Sequence, residues 1–392
     1  MACTRRRVAI VDVVKKRLCC GCGACAVACP EGALTMVEGE RYNYAAVDAK
    51  RCKSCERCCT VCPSVEFLSR GGTVQRQASG TCAACYLAHA TDESVRRDAA
   101  SGGFISALLI YLLALREIDG AVLVAADNEH PFQNCSRVAR TREAVLLSMG
   151  SRYSPASACT AIQEILDVPG RYAFVGKPCE ISAVRNLQQV TPLLRERVVL
   201  AIGLFCAQTP ARNRTVELLR ARRVDMGQVR KVTYRGLGWP GAFSAWDGEG
   251  PVCGMPYAEA WRFLAGGVPA LRCLLCADGV SRDADLSVGD PWGAPQAIDI
   301  GLGRSLVLAR TAVGARVTEQ AASGGVVSLE PAAEGWVQER LRVQARREAA
   351  ARSRTVTYRA ISLQRCDIAA LVAGRADSGR TILRILLGRK YY

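Results

Sequence analysis

Residues 19–30 read CCGCGACAVACP, and residues 52–63 read CKSCERCCTVCP. Both stretches contain the same spacing, Cys-x2-Cys-x2-Cys-x3-Cys-Pro. Three closely spaced thiolates can occupy three corners of one iron–sulfur cube, and the Cys-Pro step turns the chain away, so that the fourth sulfur reaches a second cube. The spacing therefore predicts two [4Fe–4S] clusters with crossed ligation.

The two runs assign a full set of ligands to each cluster. The first cluster is predicted on Cys19, Cys22, Cys25 and Cys62, and the second on Cys52, Cys55, Cys58 and Cys29. A pair of structural zinc sites is the alternative, but zinc modules use paired Cys or His with longer gaps between the pairs. The pattern resembles bacterial two-cluster ferredoxins, so we expect a ferredoxin-type domain over residues 1–72.

Size and composition favour a multidomain protein that keeps its thiols reduced. The chain has 392 residues, half of them apolar, which is enough for two or three domains with buried cores. It has 21 cysteines and no convincing secretory signal, so we expect a cytoplasmic protein. The longest apolar run, residues 104–115, is too short to cross a bilayer.

The net charge of +16 raises the question of nucleic-acid binding. Aromatic residues make up only 6% of the chain, and no basic motif with interleaved aromatics is present. Nucleic acid is therefore not the expected partner. A basic surface suits an acidic electron-transfer protein or a polyanionic cofactor equally well.

Beyond the cysteine runs, apolar strands alternate with helices, which predicts an α/β core. Strands are predicted at residues 121–126, 171–175 and 198–205, helices at 101–115, 180–187 and 215–222, and a loop or hairpin at 234–251. The expected organisation is the ferredoxin module, two parts of an α/β core over residues 73–165 and 166–335, and a basic helical tail over residues 336–392. The tail is expected to pack on the core or on a neighbouring subunit of a homo-oligomer.

Four further cysteines form a candidate third cluster. Cys179 and Cys206 each follow a predicted strand, at the sheet edge where ligands collect in α/β proteins. Cys273 and Cys276 form a close pair, so the four thiolates together could hold a third [4Fe–4S] cluster. The alternative is that Cys179 and Cys206 are ordinary buried apolar residues.

Ser101-Gly102-Gly103 opens a predicted helix and is a candidate phosphate site, because small residues and a helix N-terminus suit an anion. An ordinary N-cap is the alternative. Neither G-x-G-x-x-G after a strand nor G-x-x-x-x-G-K-[ST] is present. The chain has only two histidines, outside any metal-like or triad-like cluster, so hydrolase and zinc-enzyme interpretations lack their residues and no catalytic residue is predicted.

Seven short segments, taken in order, resemble the coenzyme F420 hydrogenase/dehydrogenase beta-subunit family over about residues 85–335. They are residues 100–103, 150–153, 176–179, 202–206, 234–241, 272–278 and 284–293. Members of this family often carry a ferredoxin domain in front.

The resemblance implies a flavoprotein oxidoreductase that binds FAD and moves electrons between a hydride carrier and iron–sulfur clusters. By motif, the residues implied at the flavin are Ser101, Gly102, Gly103, Ser151, Arg152 and Tyr153. The family usually has Thr where this chain has Lys177, a change that would favour an anionic reduced flavin or a more acidic substrate. The resemblance also supports the third cluster.

Two other functions stay open. The chain could reduce a substrate other than a deazaflavin, such as a sugar-linked or tetrapyrrole-like molecule. It could also be an electron-transfer subunit without catalysis of its own.

Overall fold

The computed structural model describes residues 9–65, 82–294 and 301–362. The predicted linker around residue 72 and the tail beyond Ser362 lie outside the described residues.

The N-terminal module is built around a small antiparallel sheet. Its elements are helix Ile10–Lys15, helix Ala24–Val27, strand β1 (Leu34–Glu38), strand β2 (Asn43–Val47) and helix Arg57–Val61. Both predicted cysteine runs lie in this module, each with its third cysteine in a short helix. Gly23 takes a left-handed conformation at φ 89°, and a side chain there would meet Thr160 at 2.8 Å. The glycine therefore lets the first cysteine run pack closely on the core.

An eight-stranded mixed sheet forms the centre of the molecule. Its strands are β3 (Ala84–Ala90), β4 (Gly120–Ala126), β5 (Asn134–Ala139), β6 (Tyr172–Gly176), β7 (Val198–Leu204), β11 (Leu286–Gly289), β12 (Ser305–Ala309) and β13 (Val327–Pro331). They lie in the order β13-β3-β12-β11-β7-β6-β4-β5. The four central strands, β11, β7, β6 and β4, are mutually parallel, and the outer pairings are antiparallel.

Helices cover both faces of this sheet. They are Glu93–Asp98, Phe104–Ala114, Arg142–Leu147, Ile162–Asp167, Pro178–Val190, Pro192–Arg197 and Ala312–Ser323, with a 3-10 turn at Ala158–Ala161. Helices Asn213–Ala221 and Tyr257–Ala265 pack on a second, smaller sheet, and the short helix Leu271–Leu274 lies in an apolar cluster with the N-terminal module. Helices Phe104–Ala114 and Ala312–Ser323 bury their apolar sides on one face. Helix Pro178–Val190 packs on the other face together with Cys22 and Val61 of the N-terminal module.

Two further elements stand beside the large sheet. A second antiparallel sheet has the order β10-β9-β8, from β8 (Lys231–Thr233), β9 (Ala242–Trp246) and β10 (Pro251–Pro256). Helix Glu334–Ser362 is the described part of the basic tail, and it lies on the core. Gln344 donates to the carbonyl of Ala277 at 3.0 Å, and Tyr358 is buried in an apolar cluster with Leu271.

These observations confirm the predicted fold class: a ferredoxin-type module, an α/β core and a helical C-terminal segment. The predicted central strands match β4, β6 and β7 to within a residue at each end. The helix predicted at 180–187 is longer, because Pro178 suits the first turn of a helix and starts it earlier. The segment predicted as a loop or hairpin contains β9 and leads into β10, and these two strands form an antiparallel hairpin.

Candidate functional site

A large cleft of about 670 Å³ opens at the C-terminal edge of the parallel strands. Strands β6, β7 and β11 end there, at Gly176, Leu204 and Gly289. Parallel strands all present their carboxyl ends at the same edge, which is where α/β sheets bind ligands. The volume lies within the range of sites for small molecules and cofactors.

The predicted phosphate segment reaches this cleft through Ser101 and Gly103, whereas Gly102 does not line it. Gly103 is the N-cap of helix Phe104–Ala114 in a left-handed conformation, at φ 71°. Within the described residues, no side chain caps this helix start, so its first N–H groups can serve an anion. Gly102 instead packs against the sheet, where a side chain would meet Ala88 O at 2.4 Å.

The second predicted flavin segment, residues 151–153, also lines the cleft. Arg152 donates from Nε to Asn134 Oδ1 at 2.9 Å and from Nη1 to the carbonyl of Val232 at 3.1 Å. Burial lowers the pKa of Arg152, but the guanidinium stays a cation. The Tyr153 ring lies 4.8 Å from the Trp261 ring, so an aromatic wall continues from this segment.

Lys177 lies where the cleft meets a second, smaller cavity, and it lines both. Its Nζ is 2.7 Å from Glu180 Oε1, and the Glu180 side chain is only 2% exposed. The backbone N–H of Lys177 also donates to Glu180 Oε2 at 2.8 Å. Burial works to lower the pKa of Lys177, but the Glu180 carboxylate outweighs it and raises that pKa. The ammonium is therefore a fixed positive charge at the boundary.

An aromatic and cationic group stands at the rim of the cleft, and sequence reasoning did not single it out. Arg235 makes two parallel hydrogen bonds to Asp290, at 2.7 and 3.0 Å. Its guanidinium lies 4.4 Å above the Tyr257 ring, which stacks on Trp292 at 5.9 Å. Trp239 Nε1 also donates to Asp290 at 2.9 Å. Arg235 lies in segment 234–241 and Asp290 in segment 284–293, two of the segments that resemble the family. Membership of those segments is the sequence signal that could have identified both residues as part of the site.

The smaller cavity, of about 40 Å³, collects the four cysteines of the predicted third cluster. It is lined by Cys179, Cys206, Cys273 and Cys276, together with Cys19, Cys20, Arg272 and other residues. Burial is the largest cause that raises the pKa of Cys206 and of Cys273. Thiols in such a place ionise only when a cation balances them, and thiolate is the form that binds iron. The donor set thus fits a cluster.

The predicted ligands of the first ferredoxin cluster are partly assembled. Cys25 lies near Cys62 and Cys19 of its predicted set, and also near Cys58 of the other predicted set. Cys22 is near Cys25, but its thiol is hydrogen-bonded to Cys159 and to the additional Cys20.

The ligands predicted for the second cluster are more spread. Cys29 and Cys58 pack in one apolar cluster, whereas Cys52 and Cys55 lie exposed on the loop before helix Arg57–Val61. The assignment of all these cysteines to clusters remains a prediction.

In the ranges that the structure describes, no three His, Cys, Asp or Glu side chains converge as ligands of a single metal ion. A cubane spreads its four thiolates over four corners, so this finding concerns mononuclear sites such as zinc.

Comparison with known families decides what kind of protein carries this site. The family described as coenzyme F420 hydrogenase/dehydrogenase, beta subunit, matches with its N-terminal part over residues 85–163 and with its C-terminal part over residues 170–335. The chain belongs to this family. A "4Fe-4S dicluster domain" matches residues 18–65. The family and its iron–sulfur domain are therefore as predicted, and they carry an oxidoreductase role in electron transfer. The domain limits at residues 72, 165 and 335 remain predictions.

Several curated proteins are similar to this beta-subunit family member. The coenzyme F420 hydrogenase beta subunit of Methanosarcina barkeri is 29% identical over 258 residues, which are 64% of this chain and 83% of that protein. One F(420)H(2) dehydrogenase subunit, from Methanosarcina mazei, is 26% identical over 322 residues, 78% of this chain and 82% of that one. Coenzyme F420-dependent sulfite reductase of Methanocaldococcus jannaschii is 25% identical, and the match covers 48% of its length.

A solved structure shares the fold. A chain of the F420-reducing [NiFe] hydrogenase complex from Methanosarcina barkeri superposes with a TM-score of 0.56 at 24% identity, over 72% of this chain and 94% of that chain. Within the described residues, no helix combines the length and apolar character needed to cross a membrane.

Proposed function

We propose that the chain is an iron–sulfur flavoprotein oxidoreductase that passes electrons between a hydride carrier, FAD and [4Fe–4S] clusters. One observation carries the proposal: the large cleft and the thiol-lined cavity share a wall. Six residues line both spaces: Ala156, Lys177, Cys206, Gln208, Thr209 and Arg347. A cofactor in the cleft would therefore stand next to a cluster in the cavity.

The cleft fits a dinucleotide such as FAD. Its lining is mainly apolar, which suits a flavin ring, and the uncapped start of helix Phe104–Ala114 suits a pyrophosphate. Arg152 adds a cation that its hydrogen bonds to Asn134 and Val232 hold in place. A flavin bound there would take two electrons as a hydride and release them one at a time to clusters. Lys177 would add its charge on the cluster side of that cofactor.

The cysteines continue the route away from the cleft. Cys206 borders both spaces, and Cys19 of the N-terminal module reaches the thiol-lined cavity from the other side. Cys52 and Cys55 are exposed, and both are predicted ligands of the second ferredoxin cluster. That cluster would therefore be the one nearest to solvent. We infer that an electron-transfer protein docks near them. Lys50, Arg51, Lys53 and Arg57 are also exposed there, and they favour an acidic partner.

The proposed hydride carrier is coenzyme F420, which appears in the names of the similar proteins. A planar deazaflavin suits the rim, where the stacked rings of Tyr257 and Trp292 offer an aromatic surface beside the Arg235–Asp290 ion pair. The basic chain would attract that acidic coenzyme electrostatically.

The test is anaerobic purification followed by flavin and iron analysis and by stopped-flow mixing with reduced F420, NADH or reduced ferredoxin. We expect bound FAD, and flavin reduction by reduced F420. Ser151→Trp would place a large ring in the cleft and should abolish flavin binding while iron is retained. The matched control is Ser323→Trp at an exposed position, which should keep both.

Three other results would redirect the proposal. Wild-type protein without flavin after anaerobic reconstitution would make the chain an electron-transfer subunit. Bound flavin that reduced F420 leaves oxidised would indicate a different substrate. Full flavin in Ser151→Trp would place the flavin elsewhere.

A further inference from the structure

Cys82 and Cys85 stand apart from every cysteine assigned above, at the beginning of strand β3. Their sulfur atoms are 3.0 Å apart, and both side chains are half-buried. A disulfide bond measures about 2.05 Å, so the two sulfurs need to move only about 1 Å to bond. The spacing Cys-x2-Cys is also the spacing of redox-active dithiols.

The surroundings make the two thiols chemically different. The hydrogen bond between the two thiols, aided by the charge of Arg310, lowers the pKa of Cys82 against the effect of burial. The same hydrogen bond is the largest cause that raises the pKa of Cys85, and Glu334 adds to it. The lowered pKa makes Cys82 the more readily ionised thiol, and therefore the attacking one, with Cys85 as the resolving thiol. In the resting thiol form Cys82 Sγ donates to the carbonyl of Ala84 at 2.8 Å, and this hydrogen bond is given up when Cys82 ionises.

The pair is held by ordered structure on several sides. Ala83 N donates to the carbonyl of Ala309 at 2.8 Å, and Ala332 N donates to the carbonyl of Cys85 at 2.9 Å. Both cysteines pack against an apolar cluster that contains Leu306, and Phe205 packs against the same cluster; Leu306 and Phe205 also line the large cleft. The backbone thus keeps the sulfurs in reach of each other, directly behind the cleft wall.

We propose that Cys82 and Cys85 are a reversible dithiol–disulfide site that exchanges with low-molecular-weight thiols and disulfides. The Cys82 thiolate attacks one sulfur of an incoming disulfide, breaks its S–S bond, forms a mixed disulfide and releases one thiolate. Cys85 then attacks the Cys82 sulfur, closes the intramolecular bond and releases the second thiolate. The two cysteines lose two electrons and two protons, and the incoming disulfide becomes two thiols. The site is independent of the proposed flavin function.

The test uses the full chain under anaerobic conditions in glutathione buffers of increasing disulfide content, with iron content followed throughout. Free thiols are alkylated, and tryptic peptide 77–96, which contains only these two cysteines, is weighed by mass spectrometry. We expect a species that resists alkylation and lacks two hydrogen atoms, and that is recovered with a reducing buffer. If the peptide is fully alkylated in every buffer, the proposal fails.

Single variants test the order of attack. In Cys85→Ser, Cys82 should accumulate a glutathione adduct, and in Cys82→Ser, Cys85 should accumulate far less. Equal adducts in both variants would contradict the assignment of Cys82 as the attacking thiol.

Iodoacetamide kinetics test the same assignment against Cys253, a half-buried cysteine whose pKa is raised by burial. Because the pKa of Cys82 is lowered and the pKa of Cys253 is raised, a larger fraction of Cys82 is thiolate at pH 7, and Cys82 should be alkylated several-fold faster than Cys253. Equal rates at the two cysteines would count against the proposal.

Discussion

Replacement of Lys177 by methionine should destabilise the core, because it leaves a carboxylate buried without its charge partner. The Lys177 Nζ to Glu180 Oε1 distance is 2.7 Å, and the Glu180 side chain is 2% exposed. Breaking a buried pair from one side costs about 3–5 kcal/mol. Glu180 keeps the hydrogen bond from the backbone N–H of residue 177, at 2.8 Å, so we expect the lower end, about 3 kcal/mol.

Anaerobic scanning calorimetry of the purified protein measures this effect. For a domain of 150–250 residues, each kcal/mol shifts the melting temperature by about 2–4 °C, so Lys177→Met should melt about 6–12 °C below wild type. The double variant Lys177→Met/Glu180→Gln removes both charges and should regain most of the loss. A single variant that melts with wild type, or a double variant no better than the single one, would refute the reasoning.

Three further predictions concern the clusters, the rim and the charge. Replacing Cys273 and Cys276 together by Ser should lower the iron content by about four atoms per chain, whereas the control Cys253→Ser should leave it unchanged. Equal iron in the wild type, the double variant and the control would exclude the third cluster. Arg235→Lys should lower the melting temperature, because lysine cannot keep both hydrogen bonds to Asp290. The expected loss in the free energy of unfolding is about 1–2 kcal/mol. An unchanged melting profile would show that the Arg235–Asp290 pair does not stabilise the protein. The bimolecular rate constant with reduced F420 should fall several-fold between about 50 and 500 mM salt, as expected of a basic protein and an acidic coenzyme; a rate independent of salt would rule out electrostatic steering.

The parts of this molecule that sequence could predict are those that local spacing determines. The cysteine runs are read within twelve residues each, and the family match at residues 18–65 agrees with them. The central strands are continuous apolar segments because both faces of the sheet are covered by helices. The motif at residues 101–103 marks a helix start that does reach the cleft.

The parts that sequence could not predict depend on contacts between distant segments. Strand β3 pairs with β12 and β13, more than 200 residues further along the chain, and no local pattern encodes those partners. The motif predicts Gly102 near a phosphate, but its lack of a side chain serves close packing against Ala88 and Ser305. The sequence predicts only that the tail helix packs on the core or on a neighbouring subunit, yet Gln344 and Arg347 of this helix line the cleft.

Electron transfer from the cleft to the clusters is the central claim, and rapid freeze-quench electron paramagnetic resonance tests it most directly. Anaerobic wild-type protein is mixed with one equivalent of reduced F420, and the signal of reduced [4Fe–4S] clusters is followed against time. Reduced F420 should first bleach the flavin absorbance, and we predict that the cluster signal rises as the flavin is reoxidised and its absorbance returns. The Ser151→Trp protein should show no cluster signal with reduced F420, although dithionite still reduces its clusters. Wild-type clusters that stay oxidised with reduced F420, or a Ser151→Trp protein that matches wild type, would contradict the account.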